Sequence, residues 1–173
     1  HWNLNTNFID PKACQDVTHV INLAGTAVAG PRWTTKRKKD IIHSRVQSAN
    51  CLFENFKNSP SLQSYISASG INAYAYSKEE TPITENSPFG NHYLAQVVKE
   101  WEEAADQFQS ICPVVKLRIG VVFSKDGGAL ATMALPIKLF AGTPLGKGDQ
   151  WVPWIDSTDL CKTFLHVIES NLK

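Results

Sequence analysis

The sequence lacks several features that would assign it to a class at once. It contains no apolar run of the roughly 18 residues that a transmembrane helix needs, and its formal net charge is only +1. We therefore expect no membrane segment and no nucleic-acid partner, since both usually require a strong bias in composition. With 43% hydrophobic and 19% charged residues over 173 positions, the chain can form one globular domain with a sizeable core.

Metal-binding and disulfide patterns are also missing. The four cysteines lie at positions 14, 51, 112 and 161 without a C-x-x-C pair. This spacing favours buried, reduced thiols in a cytoplasmic protein over a zinc site or a disulfide framework. The five histidines show no ligand spacing, so no metal is predicted. The basic run KRKK at 36–39 is interpreted as a solvated helix face rather than a nucleic-acid patch.

Short apolar segments alternate with amphipathic ones along the chain. The segments VTHVINLAG (17–25), SYISAS (64–69) and CPVVKLRIGVVFS (112–124) predict strands that are buried on both faces. Such strands, separated by helices, indicate an α/β fold with a Rossmann-like parallel sheet and helices on both faces. We expect segments 18–23, 64–69 and 113–123 to be neighbours or near-neighbours in that sheet.

The helices are predicted from apolar residues spaced three and four positions apart. The predicted ranges are 34–59, 92–108, 127–142 and a last helix that runs from Asp156 or Ser157 to the end. Thr34 or Thr35 can cap the first helix, and Pro136 is expected to kink or split the third. No internal repeat, low-complexity tract or linker interrupts this order, so we predict one domain.

Five blocks of the sequence resemble the extended short-chain dehydrogenases/reductases, and they occur in the expected order. These blocks are NLAG (22–25), ISAS (66–69), ITENSPFGNHYLAQ (83–96), LRIGVVFSKDGGAL (117–130) and GKGDQWVPWIDSTDL (146–160). Shorter pieces, including RW, SR and WEEAA, are similar to the atypical branch of epimerase-family, or nucleoside-diphosphate-sugar-epimerase-like, proteins. The resemblance implies a domain that binds NADP or NAD as its cofactor.

The resemblance also implies the residues of a site. Ser69 would hydrogen-bond the reacting oxygen of the substrate, and Tyr93 would transfer the proton. The residues that would contact the cofactor are Asn22, Leu23, Ala24, Gly25, Ser67 and Arg118. Arg118 falls in the middle of a strand, where an unpaired charge is costly to bury, so either a carboxylate partner or an anionic ligand is expected. Tyr74 and Tyr76 lie closer to Ser69 in sequence, although loop tyrosines more often pack at the surface.

Two departures from the family pattern stand out. A lysine is expected four residues after Tyr93, on the same helix face, and Val97 occupies that position. Lys99 lies about 240° round an ideal helix from Tyr93 and cannot replace it. A tyrosine without the cation keeps a pKa near ~10, which is unfavourable for a general base at neutral pH.

The second departure is that no stretch of the G-x-x-G-x-x-G type, which cradles the pyrophosphate in such domains, occurs in the 173 residues. We therefore expect residues 1–173 to be a single partial dinucleotide-binding domain, the middle of a longer protein, in which 127–156 contribute to the substrate side. The loop GKGDQWVPW within that region can either stack on a nucleotide or sugar or plug the core with its tryptophans.

Two functions follow as hypotheses. The first is an NAD(P)-dependent oxidoreductase or sugar-nucleotide epimerase-like protein that acts on a small carbonyl or hydroxyl substrate, with a nucleotide sugar as one candidate. The second is a catalytically lapsed NAD(P)-binding sensor or scaffold, which the substitution at Val97 favours. A homodimer is the one protein assembly that we consider.

Overall fold

The computed structural model describes residues 1–75, 82–143, 147–148 and 150–170, which contain both strands and helices. In chain order, these elements are β1 (Trp2–Asn3), β2 (Phe8–Ile9), β3 (His19–Asn22), α1 (Thr35–Phe56), β4 (Ser64–Gly70), α2 (Tyr93–Asp106), β5 (Val114–Ile119), β6 (Val121–Ser124), β7 (Gly127–Gly128), α3 (Ala129–Lys138), β8 (Trp154–Asp156) and α4 (Ser157–Glu169). In the run β3-α1-β4-α2-β5, helices separate the strands, which confirms the predicted α/β class.

The central sheet has the strand order β3-β4-β5, and all of its pairs are parallel. Ile21 is in register with Ile66, which in turn is in register with Val115. The three predicted strand segments are therefore neighbours, as expected. Because parallel strands end on the same side, the residues that follow β3, β4 and β5 meet at one carboxyl edge.

Helices cover the two faces of this sheet. On one face Tyr65 stacks on Phe108 with ring centroids 3.7 Å apart, and both pack with Phe56 at the end of α1. On the other face Ile66 packs against Phe164 and Val167 of α4. Successive residues of β4 thus point to opposite layers, which is why this strand is apolar on both faces.

The prediction of a single strand at 112–124 is wrong in one respect, because this segment forms two strands, β5 and β6. β5 ends at Ile119, and β6 belongs to a second sheet of order β7-β6-β8. The break falls at Gly120, where an added Cβ would lie 2.6 Å from the carbonyl oxygen of Pro153. Val121 then donates its N–H to the same oxygen at 2.9 Å. The close approach of residue 153 excludes a side chain at position 120.

The helix boundaries agree with the prediction at their beginnings better than at their ends. The side chain of Thr34 caps α1 by accepting from the N–H of Arg37 at 3.2 Å, and Asp156 caps α4 by accepting from Thr158 at 2.7 Å. Helix α1 stops at Phe56 rather than residue 59, and α3 is shorter than predicted. Pro136 lies inside α3 and does not split it.

Three further sequence expectations concern cysteines, membranes and metals. Cys51 and Cys112 are buried, but Cys161 is exposed, because it lies on the outer side of α4. Of the helices in the described ranges, none has the length and apolar character that crossing a bilayer requires. Within those ranges, His, Cys, Asp and Glu side chains form no group of three or more that could hold a metal ion.

Candidate functional site at the carboxyl edge of the central sheet

The turn after β3 presents its backbone rather than its polar side chain. Asn22 is 2% exposed, and its Nδ2 donates to the Tyr65 hydroxyl at 2.8 Å and to Ser48 Oγ at 3.3 Å. Its Oδ1 accepts from the N–H of Ala24 at 3.0 Å, which fixes the turn. Burial raises the pKa of Tyr65 to about 12, so this phenol stays neutral at physiological pH. The exposed part of the turn is Leu23 and Gly25.

Gly25 packs closely against an arginine side chain beneath this turn. A Cβ at this position would lie 2.9 Å from Cζ of Arg45, which projects from α1. Arg45 donates through Nη1 to the carbonyl oxygens of Thr26 at 3.0 Å and Ile41 at 2.9 Å. Its Cζ lies 4.9 Å from the ring centroid of Trp101 on α2, a cation–π distance. The guanidinium therefore sits between the turn and the two helices of this face.

The two serines of β4 point to the same face as Tyr65, because alternate residues of a strand share a face. Ser67 is 1% exposed and donates to the carbonyl oxygen of Ala68 at 2.9 Å. Ser69 is 5% exposed and donates its hydroxyl to Oε1 of Glu102 at 2.5 Å. The hydroxyl of Ser69 is therefore directed toward α2.

Glu102 and Arg118 form a bidentate ion pair behind Ser69. The Nε and Nη2 atoms of Arg118 donate to the two carboxylate oxygens, each at 2.8 Å. The Nη1 atom donates to the hydroxyl of Tyr74 at 2.8 Å and to the carbonyl oxygen of Glu85 at 2.9 Å. Of the two alternatives for Arg118, the carboxylate partner is thus present, while contact with a cofactor stays a prediction.

The ion pair determines the charge state of Glu102. Burial raises the pKa of this carboxyl, but the hydrogen bonds from Arg118 and Ser69 outweigh burial and leave it below its usual range. The same carboxylate raises the pKa of Arg118. An ionised carboxylate only accepts hydrogen bonds, so the hydrogen of Ser69 is committed to Glu102. The serine oxygen keeps acceptor capacity toward the cleft, but it has no second hydrogen to donate.

Glu102 was missed by sequence reasoning, although a signal existed. It lies four residues after Val98, on the helix face that is buried, and its side chain is only 6% exposed. A glutamate at an inward helix position needs a partner, and the mid-strand Arg118 was the unpaired cation of the sequence. Matching these two charges would have predicted the pair.

Tyr93 lies at the first position of α2, and its hydroxyl donates to the carbonyl oxygen of Lys38 at 2.9 Å. Its ring meets Trp33 edge-on at 5.3 Å. Burial raises the pKa of Tyr93, while the positive charge of Arg45 acts to lower it. The hydroxyls of Ser69 and Tyr93 are therefore bonded to different groups, and their catalytic roles remain predictions.

The position where a cation is expected on α2 is apolar in the structure. Val97 is 3% exposed and belongs to the buried face of the helix. The Lys99 side chain is 61% exposed and lies 3.9 Å from Glu103 on the outer face. This orientation agrees with the geometric argument that Lys99 cannot replace the missing lysine. Tyr74 joins the Arg118 group described above, whereas Tyr76 lies outside the described residues.

The tryptophans of the GKGDQWVPW loop do not plug the core. Trp151 is 78% exposed and Trp154 is 62% exposed, and Trp154 stacks on Phe123 with ring centroids 5.3 Å apart. Gly146 and Asp149 of this loop lie outside the described residues. The alternative role, stacking on a nucleotide or sugar, stays a prediction.

A parallel sheet with helices on both faces, and with a glycine-containing turn exposed at its carboxyl edge, is typical of α/β domains that bind nucleotides. Comparison with known proteins identifies the family within that class. The model of the NAD dependent epimerase/dehydratase family matches residues 5–173. The chain belongs to this family, which confirms the resemblance seen in the sequence.

Curated relatives and solved structures agree with the family assignment. The chloroplastic epimerase family protein SDR39U1 homolog of Arabidopsis thaliana is 42% identical over 84% of this chain and 42% of its own length. An epimerase family protein of Staphylococcus saprophyticus is 39% identical over 90% of this chain and 53% of its own length. The chain thus spans about half the length of the curated relatives that it matches.

Two solved structures share the fold and have sequence identities of 29% and 27% to this chain. The human epimerase family protein SDR39U1, crystallised with NADPH, has a TM-score of 0.80 and 29% identity, covering 90% of this chain and 54% of its own. A nucleoside-diphosphate sugar epimerase from Corynebacterium glutamicum has a TM-score of 0.77 and 27% identity, and the match covers 95% of this chain and 34% of the epimerase. Both support the assignment of a Rossmann-like domain.

Proposed function

We propose that the full-length protein containing this chain binds NADP or NAD and acts as an oxidoreductase or epimerase-like enzyme on a small carbonyl or hydroxyl compound. The observation that carries the proposal is the turn at 23–25, with Leu23 and Gly25 exposed, at the carboxyl end of β3 and beside the carboxyl end of β4. Crevices at this edge are where open parallel sheets bind nucleotides. The human relative was solved with NADPH, and the Corynebacterium relative makes a nucleotide sugar the first substrate class to test.

The turn after β3 is suited to a ligand that is contacted through the protein backbone. Asn22 holds the turn through its side chain, which accepts the N–H of Ala24, so the backbone contact with a ligand is expected from the exposed residue Leu23. Gly25 allows close approach because it has no side chain. When bound, the nicotinamide supplies or accepts a hydride. The role of the chain is then to position the substrate oxygen beside Ser69, whose oxygen accepts a hydrogen bond from the substrate hydroxyl.

A second candidate is a nucleotide-binding sensor or scaffold without hydride chemistry. Val97 supports it, because this buried valine provides no cation to lower the pKa of a phenol. The pKa of Tyr93 is raised by burial, and its hydroxyl is bonded to the carbonyl oxygen of Lys38. Both features oppose a general base at neutral pH.

Cofactor binding is tested by titrating the full-length protein with NADPH and NADH while following the fluorescence of the reduced nicotinamide. We expect saturable binding of at least one of them. The 173-residue chain alone should bind weakly or not at all, because it lacks a Gly-rich turn. Absence of binding by the full-length protein would overturn the proposal for both candidate functions.

Turnover separates the two candidates. The protein is incubated with NAD or NADP and a panel of UDP-sugars, simple alcohols and carbonyl compounds, and the product is followed by absorbance and by chromatography. Turnover of any substrate supports the enzyme. Binding without turnover across the panel supports the sensor. If Tyr93→Phe abolishes turnover while cofactor affinity is unchanged, the phenol is the proton donor and the sensor candidate is excluded.

A further inference from the structure

Tyr74 is a second phenol at the carboxyl edge of the central sheet. A short 3-10 turn, Ile71–Ala73, separates it from the end of β4. Ser69 of β4 is in register with Arg118 of β5, and Nη1 of Arg118 donates to the hydroxyl of Tyr74 at 2.8 Å. The hydroxyls of Ser69 and Tyr74 are therefore bonded to one ion pair, Ser69 to the carboxylate of Glu102 and Tyr74 to the guanidinium.

These two hydroxyls have opposite hydrogen-bonding roles. Ser69 gives its hydrogen to Glu102, so only its oxygen is available to another partner. A guanidinium can only donate, so the oxygen of Tyr74 accepts from Arg118 and its own hydrogen is left over. In the described part of the chain no acceptor takes this hydrogen. Because Tyr74 is partly exposed, solvent or a ligand can accept it.

Other contacts hold the side chain of Tyr74 in place. Its backbone pairs with Phe89 in an isolated antiparallel bridge, and its carbonyl oxygen lies 3.1 Å from Nε2 of His92. Cζ of Arg118 lies 5.0 Å from the ring centroids of both Tyr74 and Phe89, which are cation–π distances. None of these contacts uses the hydroxyl hydrogen, so the phenol is positioned and its hydrogen remains available.

Tyr93 differs from Tyr74 in both respects. Its hydrogen is donated to the carbonyl oxygen of Lys38, whose Nζ lies over the ring, 5.0 Å from its centroid, rather than at the hydroxyl. A phenol that transfers a proton at neutral pH needs a hydrogen that it can release and a positive charge that stabilises the phenolate. Tyr74 has both, since Arg118 donates to its oxygen. The carboxylate partner of Arg118 raises the pKa of the guanidinium, which therefore keeps its charge.

We propose that Tyr74, rather than Tyr93, is the phenol that exchanges a proton with the substrate oxygen. The inference rests on the proposed function and assigns its proton transfer. In the reduction of a carbonyl compound, the carbonyl carbon gains a hydride from the reduced nicotinamide and the π electrons of the C=O bond move to oxygen. That oxygen takes the hydrogen of Tyr74, and Arg118 stabilises the phenolate until it regains a proton from solvent. The oxidation of an alcohol is the same sequence in reverse.

The test compares Tyr74→Phe with Tyr93→Phe in the full-length protein, using the panel of UDP-sugars, alcohols and carbonyl compounds as substrates. Each change removes one hydroxyl and keeps the ring. Tyr74→Phe should lower kcat at least about 100-fold, the usual contribution of a general acid, and change NADPH affinity by no more than about twofold. Tyr93→Phe should lower kcat by no more than about threefold. The opposite ranking would make Tyr93 the proton donor and overturn the inference, while the proposed function would stand.

The melting temperature separates proton transfer from a structural role of the same hydroxyl. Tyr74→Phe removes one of the four hydrogen bonds of Arg118, so the melting temperature should fall by no more than about 5 °C. If it falls by more than about 10 °C and NADPH affinity falls with it, the hydroxyl only supports Arg118 and the inference is wrong. If the wild-type protein turns over no member of the panel, the enzyme candidate fails, and the inference fails with it.

Discussion

Arg45 and Arg118 lie on the same side of the central sheet, but their partners differ. Arg118 makes four hydrogen bonds, two of them to the carboxylate of Glu102, and its side chain is 18% exposed. Arg45 is buried beneath the turn after β3 with only neutral carbonyl oxygens as partners. The first arginine is electrically balanced inside the protein, and the second is not. Arg118 therefore depends on one carboxylate for its balance, whereas Arg45 depends on the carbonyl oxygens of the turn and of its own helix.

The largest effect is expected when the balanced pair is broken. Glu102→Gln leaves the guanidinium of Arg118 without its counter-charge in a largely buried place. Such changes cost about 3–5 kcal/mol of the free energy of unfolding, which urea denaturation measures. The control is Glu103→Gln, whose carboxylate is 61% exposed and which should cost no more than ~0.5 kcal/mol. Equal, small effects of both variants would contradict a structural role for the pair.

A smaller effect is expected from Ser69→Ala. It removes one hydrogen bond to a charged group, which costs about 1.5–3 kcal/mol of the free energy of unfolding. Ser67→Ala is the control, because that hydroxyl donates to the neutral carbonyl oxygen of Ala68 and should cost about 1 kcal/mol or less. If Ser69→Ala left stability unchanged and abolished ligand binding, the hydroxyl would serve the ligand rather than Glu102.

The pH dependence of stability tests the same pair through a smaller expected effect. Because the pKa of Glu102 is lower in the folded chain than its ordinary value of 4.5, its contribution is fully present above that value. The contribution is lost as the pH falls through the folded pKa. Urea midpoints measured from pH 7 to about pH 3 should therefore decline more steeply for wild type than for Glu102→Gln. Parallel declines would show that Arg118 and Ser69 do not lower the pKa of Glu102 in the folded chain.

The smallest effect is expected at Lys99, the nearest lysine in sequence to the position where one is missing. Its side chain is 61% exposed and faces Glu103, so Lys99→Met should change the free energy of unfolding by no more than ~0.5 kcal/mol. NADPH affinity should also be unchanged. A clear loss of affinity in this variant would show that Lys99 reaches the cleft after all.

The pattern of apolar residues was sufficient to predict the parallel sheet. Strands β3, β4 and β5 are buried on both faces, and that pattern is directly readable from VTHVIN, SYISAS and CPVVKLRI. The break at Gly120 could not be predicted, because the apolar run continues without change on either side. It results from the approach of Pro153, which is distant in sequence.

The residues of the site were predictable only in part. The turn at 22–25 and the serines of β4 follow from the strand ends and from the family resemblance. The partners of these residues depend on how α1 and α2 pack on the sheet, which no local pattern encodes. Glu102 and Arg45 were not singled out for this reason, although each is a charged residue on the buried face of a helix.

The most direct test compares melting temperatures of Arg45→Met and Arg118→Met in the full-length protein, with and without saturating NADPH. Without ligand, Arg45→Met should melt close to the wild type, and Arg118→Met should melt well below it because Glu102 is left unpaired. Because Arg45 packs beneath the turn that is proposed to contact the cofactor, the increase in melting temperature caused by NADPH should be smaller in Arg45→Met than in the wild type. The account is contradicted if Arg45→Met melts as low as Arg118→Met and keeps the full increase caused by NADPH.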